Sequence, residues 1–133
     1  RNTIGAELLK VHLSYGPLIQ KLLEKFKSSA AIRGLAHITG GGLPGNLNRI
    51  LPAGRTAEVR RGSWPVLPIF EYLRARGDLD PVDIYSAFNM GIGYVLVVAA
   101  ADADEIMKTL GSMGETSYSI GVITPGNQEV KLV

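Results

Sequence analysis

A run of three glycines, Gly40-Gly41-Gly42, separates a strand-like segment from a helix-like one. The apolar residues of Ile32–Ile38 predict a buried strand, and Leu43–Leu51 predicts a short helix closed by the proline that follows it. Glycine has no Cβ, so its backbone can adopt positive φ and approach another group closely. The chain is therefore expected to fold around a strand–turn–helix unit with a tight turn at its centre.

Four further helices are predicted on either side of this unit. They are a helix that starts at Pro17, Ser63–Gly77, Pro81–Phe88 behind an Asp80 N-cap, and a helix that starts after Asp102. The first should bury one face, made of Leu18, Ile19, Leu22, Leu23 and Phe26. Asp102 and Glu105 have the spacing of a capping box. Gly5–Tyr15 fits no single pattern.

Four segments besides Ile32–Ile38 have the pattern of strands. They are Thr56–Arg60, Ile92–Ala100, Tyr118–Thr124 and Glu129–Val133. Ile92–Ala100 is apolar on both faces, which predicts a central strand. The last two flank Pro125-Gly126-Asn127 and are expected to form a hairpin. Together the segments predict an α+β fold, a layered α/β sandwich with a mixed sheet covered by helices, in a single domain over residues 1–133.

Composition excludes several classes of function. The chain has no cysteine, so it has neither disulfides nor a thiolate metal site or nucleophile, which is compatible with a cytoplasmic protein. The longest apolar run, Tyr94–Ala101, is far shorter than the about 20 residues of a membrane helix. The net charge of +2 comes without a basic run, so neither a membrane nor nucleic acid is an expected partner. No His, Asp and Glu spacing resembles a metal site.

The glycine run matches two well-known patterns only in part. Gly40–Gly45 fits G-x-G-x-x-G, but the helix after it is too short for a dinucleotide-binding crossover, and Pro44 interrupts it. No Gly-Lys-Ser/Thr follows, which excludes a P-loop. What remains is a turn whose free amides and helix N-terminus could hold an anion. The alternative is a turn needed only for packing, and the polar residues grouped around it favour binding: His37, Thr39, Asn46 and Arg49.

Two segments of the chain resemble one enzyme family. Ala36–Gly42 (AHITGGG), followed by Asn46, Arg49 and Ile50-Leu51-Pro52, resembles aminoimidazole ribonucleotide synthetase, the phosphoribosylformylglycinamidine cyclo-ligase family. Phe88–Gly93 (FNMGIG) is similar to that family's F-N-x-G-[IV]-G. The similarity extends from about Gly5 to the C-terminus. The segment Leu8–Tyr15 departs from the family's L-L-x-P-T-[RK]-I-Y except at its leucines and its tyrosine, which puts a ligand contact there in doubt.

The resemblance implies ATP-dependent closure of an imidazole ring in purine biosynthesis. It implies that the chain is the C-terminal domain of a longer enzyme, that ATP and Mg²⁺ are bound mainly by the enzyme's own N-terminal domain, and that the full-length enzyme is a homodimer acting on a nucleotide-like substrate. The residues expected to bind substrate or phosphate are His37, Thr39, Gly40, Gly41, Gly42, Asn46, Arg49 and Asn89. The catalytic residue is not assigned, and His37 is the first candidate. The isolated domain is expected to be inactive.

Two other functions stay open at this point. The chain could be a non-catalytic ligand-binding or assembly module that keeps the same fold. It could also belong to another enzyme of the same ATP-binding superfamily, such as formylglycinamidine ribonucleotide amidotransferase, selenophosphate synthetase or thiamine-phosphate kinase. The combined H-x-T-G-G-G and F-N-x-G-x-G pattern favours the cyclo-ligase over these enzymes.

Overall fold

The computed structural model describes residues 3–133 of the chain. The helices are α1 (Ile4–Leu8), α2 (Gly16–Lys25), α3 (Gly42–Leu47), α4 (Pro68–Gly77), α5 (Ile84–Ala87) and α6 (Ala103–Ser112). The strands are β1 (Ile32–His37), β2 (Arg55–Val59), β3 (Tyr94–Val98), β4 (Gly121–Pro125) and β5 (Glu129–Leu132). Short 3₁₀ turns at Asn48–Ile50 and Ala100–Asp102 follow α3 and precede α6. Within residues 3–133, no helix has the length and apolar character needed to cross a membrane.

The strands form two sheets. Strands β1 and β3 pair antiparallel, and β2 lies between β4, which is antiparallel to it, and β5, which is parallel. The predicted α+β fold with a mixed sheet and covering helices is therefore confirmed, with its strands divided between two sheets.

The β1–β3 sheet is covered on both faces. Ala36, Ile38 and Val95 belong to the main core, together with Ala57 and Val59 of β2. The other face packs on a second core formed by Leu22 of α2, Ala31, and Ile106 and Leu110 of α6. The prediction that β3 is a central strand is wrong, because among the described residues β3 pairs with β1 alone. Its apolar character on both faces comes from the two cores instead.

Four predictions about helices need correction. The helix predicted from Ser63 begins only at Pro68, because Trp64 is buried and its indole N–H donates to the Met90 carbonyl at 2.9 Å. The helix predicted over Pro81–Phe88 is limited to Ile84–Ala87. Asp102 is the N-cap of α6, but its side chain makes no capping hydrogen bond, so the capping box is not formed. On α2, Leu23 is exposed rather than part of the buried face.

The predicted C-terminal hairpin is also wrong. Strands β4 and β5 lie on opposite sides of β2, and the turn between them passes over the start of that strand. The Gly126 amide donates to the Gly54 carbonyl at 3.0 Å, and the Asn127 amide donates to the Thr56 hydroxyl at 3.2 Å. A Cβ on Gly126 would lie 1.9 Å from the Thr56 hydroxyl oxygen. The turn therefore packs against β2 and keeps β4 and β5 apart.

Candidate functional site

The three glycines form a tight turn between β1 and α3. The Gly42 amide donates to the Thr39 carbonyl at 3.0 Å. Gly41, at φ 95° and ψ −7°, has the conformation required at the third position of a type II turn, which favours glycine. Gly42 also has positive φ, 58°, and α3 begins there. Since α3 has only six residues, its dipole adds little, and the turn's own backbone is the feature that could hold an anion.

Asn46 fixes the shape of this turn. Its side chain is buried, and its Nδ2 lies 3.2, 3.3 and 2.8 Å from the carbonyl oxygens of Thr39, Gly40 and Gly42. Its Oδ1 accepts a hydrogen bond from the Thr39 hydroxyl at 3.3 Å. Both polar atoms of Asn46 are thus engaged by the loop. In this conformation Asn46 positions the loop, and Thr39 donates its hydroxyl hydrogen inward.

The hydrogen bonds of Asn46 determine where the loop amides point. Every described peptide bond is trans, so each N–H is directed opposite to the carbonyl of the preceding residue. Because the Thr39 and Gly40 carbonyls point at Asn46, the Gly40 and Gly41 amides point away from it. Both glycines are exposed, and neither amide donates to an acceptor within residues 3–133. The loop therefore presents two adjacent free N–H donors to solvent.

Gly42 joins the glycine loop to the second predicted segment, Phe88–Gly93. A Cβ at Gly42 would lie 1.8 Å from the Tyr85 carbonyl oxygen and 2.9 Å from that of Phe88. The Ile38 amide also donates to the Gly93 carbonyl at 2.9 Å. The two segments are thus in direct backbone contact, and Gly42 is required for packing.

Asn89 lies in the turn that follows Phe88. Its Oδ1 accepts a hydrogen bond from the Gly91 amide at 3.0 Å, and its carbonyl accepts one from the Ile92 amide at 2.9 Å. The next residue, Met90, is buried with a positive φ of 53°. Asn89 therefore shapes the turn with its oxygen atoms, while its Nδ2 makes no hydrogen bond in the described part of the chain.

His37 is the last residue of β1 and belongs to a group of four rings, which we term the ring cluster: His12, Tyr15, His37 and Tyr94. The His37 ring lies 5.5 Å from that of His12, nearly perpendicular to it, and 6.0 Å from that of Tyr15. It stacks at 5.9 Å on Tyr94, its partner in the β1–β3 register. Tyr15 also contacts Tyr94 at 5.4 Å. Of these four residues, His37 lies nearest to the glycine loop in the chain, with two residues between it and Gly40.

Tyr15 rests on the backbone of Gly93, the residue directly before β3. A Cβ on Gly93 would lie 2.0 Å from the Tyr15 hydroxyl oxygen, so the absence of a side chain there makes room for the phenol. Burial, and to a smaller extent the carboxylate of Glu115, raises the pKa of the Tyr15 hydroxyl above its ordinary value. The group therefore stays protonated at neutral pH and can donate a hydrogen bond.

Arg49, unlike Thr39 and Asn46, does not take part in the hydrogen bonds of the glycine loop. It lies in the 3₁₀ turn after α3, exposed and without a hydrogen bond or ion pair in residues 3–133. Helical rise places its Cα about 10 Å from Gly42 along the axis. The described part of the chain also contains no group of three or more His, Asp or Glu side chains able to hold a metal ion.

Residues 5–133 match the family described as "AIR synthase related protein, C-terminal domain". The chain belongs to this family. It is 45% identical over 123 residues to the phosphoribosylformylglycinamidine cyclo-ligase of Geobacillus thermodenitrificans, a match that covers 92% of this chain and 34% of that protein. It is 43% identical over 130 residues to the cyclo-ligase of Acetivibrio thermocellus, covering 98% and 37%.

The AIR synthase relatives are longer than this chain, which spans about a third of their length. Among solved structures, E. coli HypE, a hydrogenase maturation protein, aligns with a TM-score of 0.61 and 20% identity over 86% of this chain and 36% of that one. At that identity the likeness shows the fold alone. It agrees with the layered α+β architecture.

Sequence reasoning identified the glycine loop but missed most of the ring cluster. No pattern in the sequence singles out His12, and Tyr15 appears there only as a match to the family's tyrosine. The register of β1 and β3 was the missing information, because it sets Tyr94 beside His37. An aromatic residue directly after the F-N-x-G-x-G pattern was the available signal, since a strand residue there must face a residue of its partner strand.

Proposed function

We propose that this chain is the substrate-side, C-terminal domain of a phosphoribosylformylglycinamidine cyclo-ligase. The observation that carries the proposal is the pair of outward amides at Gly40 and Gly41, held in place by Asn46. Two adjacent N–H donors on a glycine backbone suit a phosphate group, which approaches closely where no Cβ intervenes. Relatives with 43% and 45% identity that carry the cyclo-ligase name support the same assignment.

The reaction assigned to the full-length enzyme uses ATP as a substrate. The formyl oxygen of formylglycinamidine ribonucleotide attacks the γ-phosphorus, and ADP leaves. An amidine nitrogen then attacks the formyl carbon, phosphate departs with the former formyl oxygen, and loss of a proton completes the imidazole ring. The role we assign to this chain is positional: the Gly40 and Gly41 amides hold a phosphate group, while His37 lies beside them to orient the substrate or transfer a proton.

The remaining partners belong to the proposed longer enzyme. ATP and Mg²⁺ would be held mainly by its own N-terminal domain, and the full-length enzyme would be a cytoplasmic homodimer. The described residues contain no group of three or more His, Cys, Asp or Glu side chains that could hold a metal ion, so we derive no step through a metal on this chain. In the same proposal, Asn46, Thr39 and Gly42 shape the phosphate loop. Asn89 shapes the neighbouring turn, and Arg49 would reach the ligand only from outside the loop.

The direct test compares the longer protein with the isolated chain. Release of ADP and formation of aminoimidazole ribonucleotide are measured with formylglycinamidine ribonucleotide and ATP. Turnover is expected from the longer protein and none from the 133-residue chain. Turnover by the chain alone would contradict the proposal that catalysis also requires the N-terminal domain. A longer protein that binds the substrate without converting it would favour a non-catalytic module, and a different ATP-dependent product would favour another enzyme of the superfamily.

The loop itself is tested at Gly40. A Cβ there meets nothing within 4 Å and Gly40 lacks positive φ, so Gly40→Val leaves packing intact while narrowing the approach to the amides. Gly41 is less suitable because its φ of 95° adds strain to any substitution. We expect Gly40→Val to raise the KM for the substrate about tenfold or more. Gly45→Ala, also in open space, is the matched control. Unchanged kinetics in Gly40→Val would leave the loop a packing role only.

A further inference from the structure

The ring cluster combines four neighbouring rings with several polar atoms that make no hydrogen bond within residues 3–133. Its four rings touch one another at centroid distances of 5.4–6.0 Å. Within residues 3–133, neither nitrogen of His37 and neither hydroxyl of Tyr15 and Tyr94 makes a hydrogen bond. No described side chain has a buried polar atom without a hydrogen-bond partner, so these unpaired atoms are accessible to solvent. They are therefore open to a ligand.

The hydrogen-bonding roles of the two ring nitrogens of His12 can be assigned. Its Nδ1 lies 2.8 Å from the Leu13 carbonyl oxygen, which can only accept, so Nδ1 carries the hydrogen. In the neutral imidazole, Nε2 is then left as an acceptor. A site with imidazole acceptors, phenol donors and aromatic faces suits a planar group rich in nitrogen, because such a group offers N–H donors at its edge and a flat face for stacking.

The cluster has space beside it and an anion-binding loop next to it. Tyr15 and Tyr94 line a cavity of about 800 Å³ between the two sheets. His37 is separated from the free amides of Gly40 and Gly41 by two residues only. One nucleotide could therefore span both features, with its phosphate on the loop.

We propose that the ring cluster is the binding site for the planar, nitrogen-rich end of the nucleotide ligand, and that His12 and Tyr15 contact this end together with His37. The inference rests on the proposed function, since the loop amides take the phosphate of the same ligand. It extends that function to Leu8–Tyr15, the segment that departs from the family pattern and in which a ligand contact was in doubt. His12 thus becomes a residue that determines ligand affinity in this particular chain.

The test separates the two ends of the ligand. The 133-residue chain, with its histidine side chains and glycine amides isotopically labelled for NMR, is titrated with aminoimidazole ribonucleotide and, separately, with ribose 5-phosphate. We expect the nucleotide to shift the His12 and His37 ring resonances and the Gly40 and Gly41 amides. Ribose 5-phosphate should shift the amides alone. His12→Ala should weaken the nucleotide about fivefold and leave ribose 5-phosphate unchanged.

Two further variants guard against a folding artefact. Val11→Ala changes a neighbouring side chain that is 92% exposed, so it should bind like the parent. Gly93→Ala places a methyl where the Tyr15 hydroxyl lies; the phenol can swing away, so the fold should persist while nucleotide affinity falls.

The outcomes distinguish this inference from the proposed function. Nucleotide shifts at the amides without any at His12 and His37, or equal affinity in His12→Ala and Val11→Ala, would overturn the inference and leave the proposed function standing. Ring shifts without amide shifts would refute the phosphate role of the loop but keep the ring cluster as a site. No shift at either place, in a chain that gives a folded spectrum, would refute both.

Discussion

The three adjacent glycines should respond to alanine in three different ways, although the sequence makes them look equivalent. At Gly40 a Cβ meets nothing within 4 Å, and φ is not positive. At Gly41 the nearest contacts, 3.6 and 3.9 Å, are ordinary, but φ is 95°. At Gly42 a Cβ would lie 1.8 Å from the Tyr85 carbonyl oxygen, and φ is 58°. Space and backbone conformation thus separate the three positions.

These geometries translate into different losses of unfolding free energy. Gly40→Ala should change it by less than about 0.5 kcal/mol. Gly41→Ala carries the conformational cost alone, about 1–3 kcal/mol. Gly42→Ala adds to that cost an overlap with backbone that cannot rotate away, about 1–3 kcal/mol more, for a total of about 2–6 kcal/mol. Since domains are stable by about 5–15 kcal/mol, the last variant should be partly unfolded or close to it.

Equilibrium unfolding in urea provides the measurement. Trp64 is the only tryptophan, is 4% exposed, and lies 6.3 Å from the Tyr85 ring, so its fluorescence reports on the region that Gly42 contacts. The order of stability should be Gly40→Ala, then Gly41→Ala, then Gly42→Ala. A Gly42→Ala variant within about 0.5 kcal/mol of the parent would refute the reasoning, because it would mean that the loop and Phe88–Gly93 are not in backbone contact.

Three further predictions concern single side chains. Asn46→Ala should lower the free energy of unfolding by about 2–3 kcal/mol, because three loop carbonyls each lose the hydrogen bond to Asn46. Urea unfolding checks this value, and a loss under about 0.5 kcal/mol would contradict it. Because folding raises the pKa of Tyr15, its stabilising contribution is present below about pH 10 and is lost as the pH rises through the folded-state pKa. Tyr15→Phe should therefore lose less free energy of unfolding than the parent between about pH 8 and about pH 11. An identical loss in the two proteins would be evidence against this prediction. Asp102→Ala should change the melting temperature by no more than about 2 °C, since the side chain makes no capping hydrogen bond. A drop of about 5 °C would instead be evidence that the capping box forms.

The sequence predicted the kinds of elements better than their partners. Apolar periodicity identified β1, α2 and α6 because it depends on which face is buried, which is a local property. It could not assign β5 to the far side of β2. That position depends on Gly126 packing against Thr56 and on Gly121, where a Cβ would lie 2.1 Å from the Glu58 carbonyl oxygen. Such long-range backbone contacts leave no periodic trace.

The candidate site shows the same division. The glycine loop was predicted because its residues are contiguous and their freedom in φ is intrinsic. The inward hydrogen bonds of Asn46 were not predicted, since the sequence places Asn46 among the residues expected to bind a ligand. The ring cluster was missed because it joins residues from three separate segments. Only the β1–β3 register and the start of α2 bring them together.

The contact at Gly42 has a consequence for how the site can change. Two loops that meet through a position with no side chain have no flexible group between them to absorb movement. A ligand that displaces the glycine turn must therefore displace Phe88–Gly93 as well, and with it the residue on which Tyr15 rests. The same contact constrains which substitutions are tolerated. A substitution that shifts the backbone of the glycine turn is tolerated only together with a matching shift in Phe88–Gly93, and the reverse also holds. In this family the two glycine patterns should therefore be inherited as one unit.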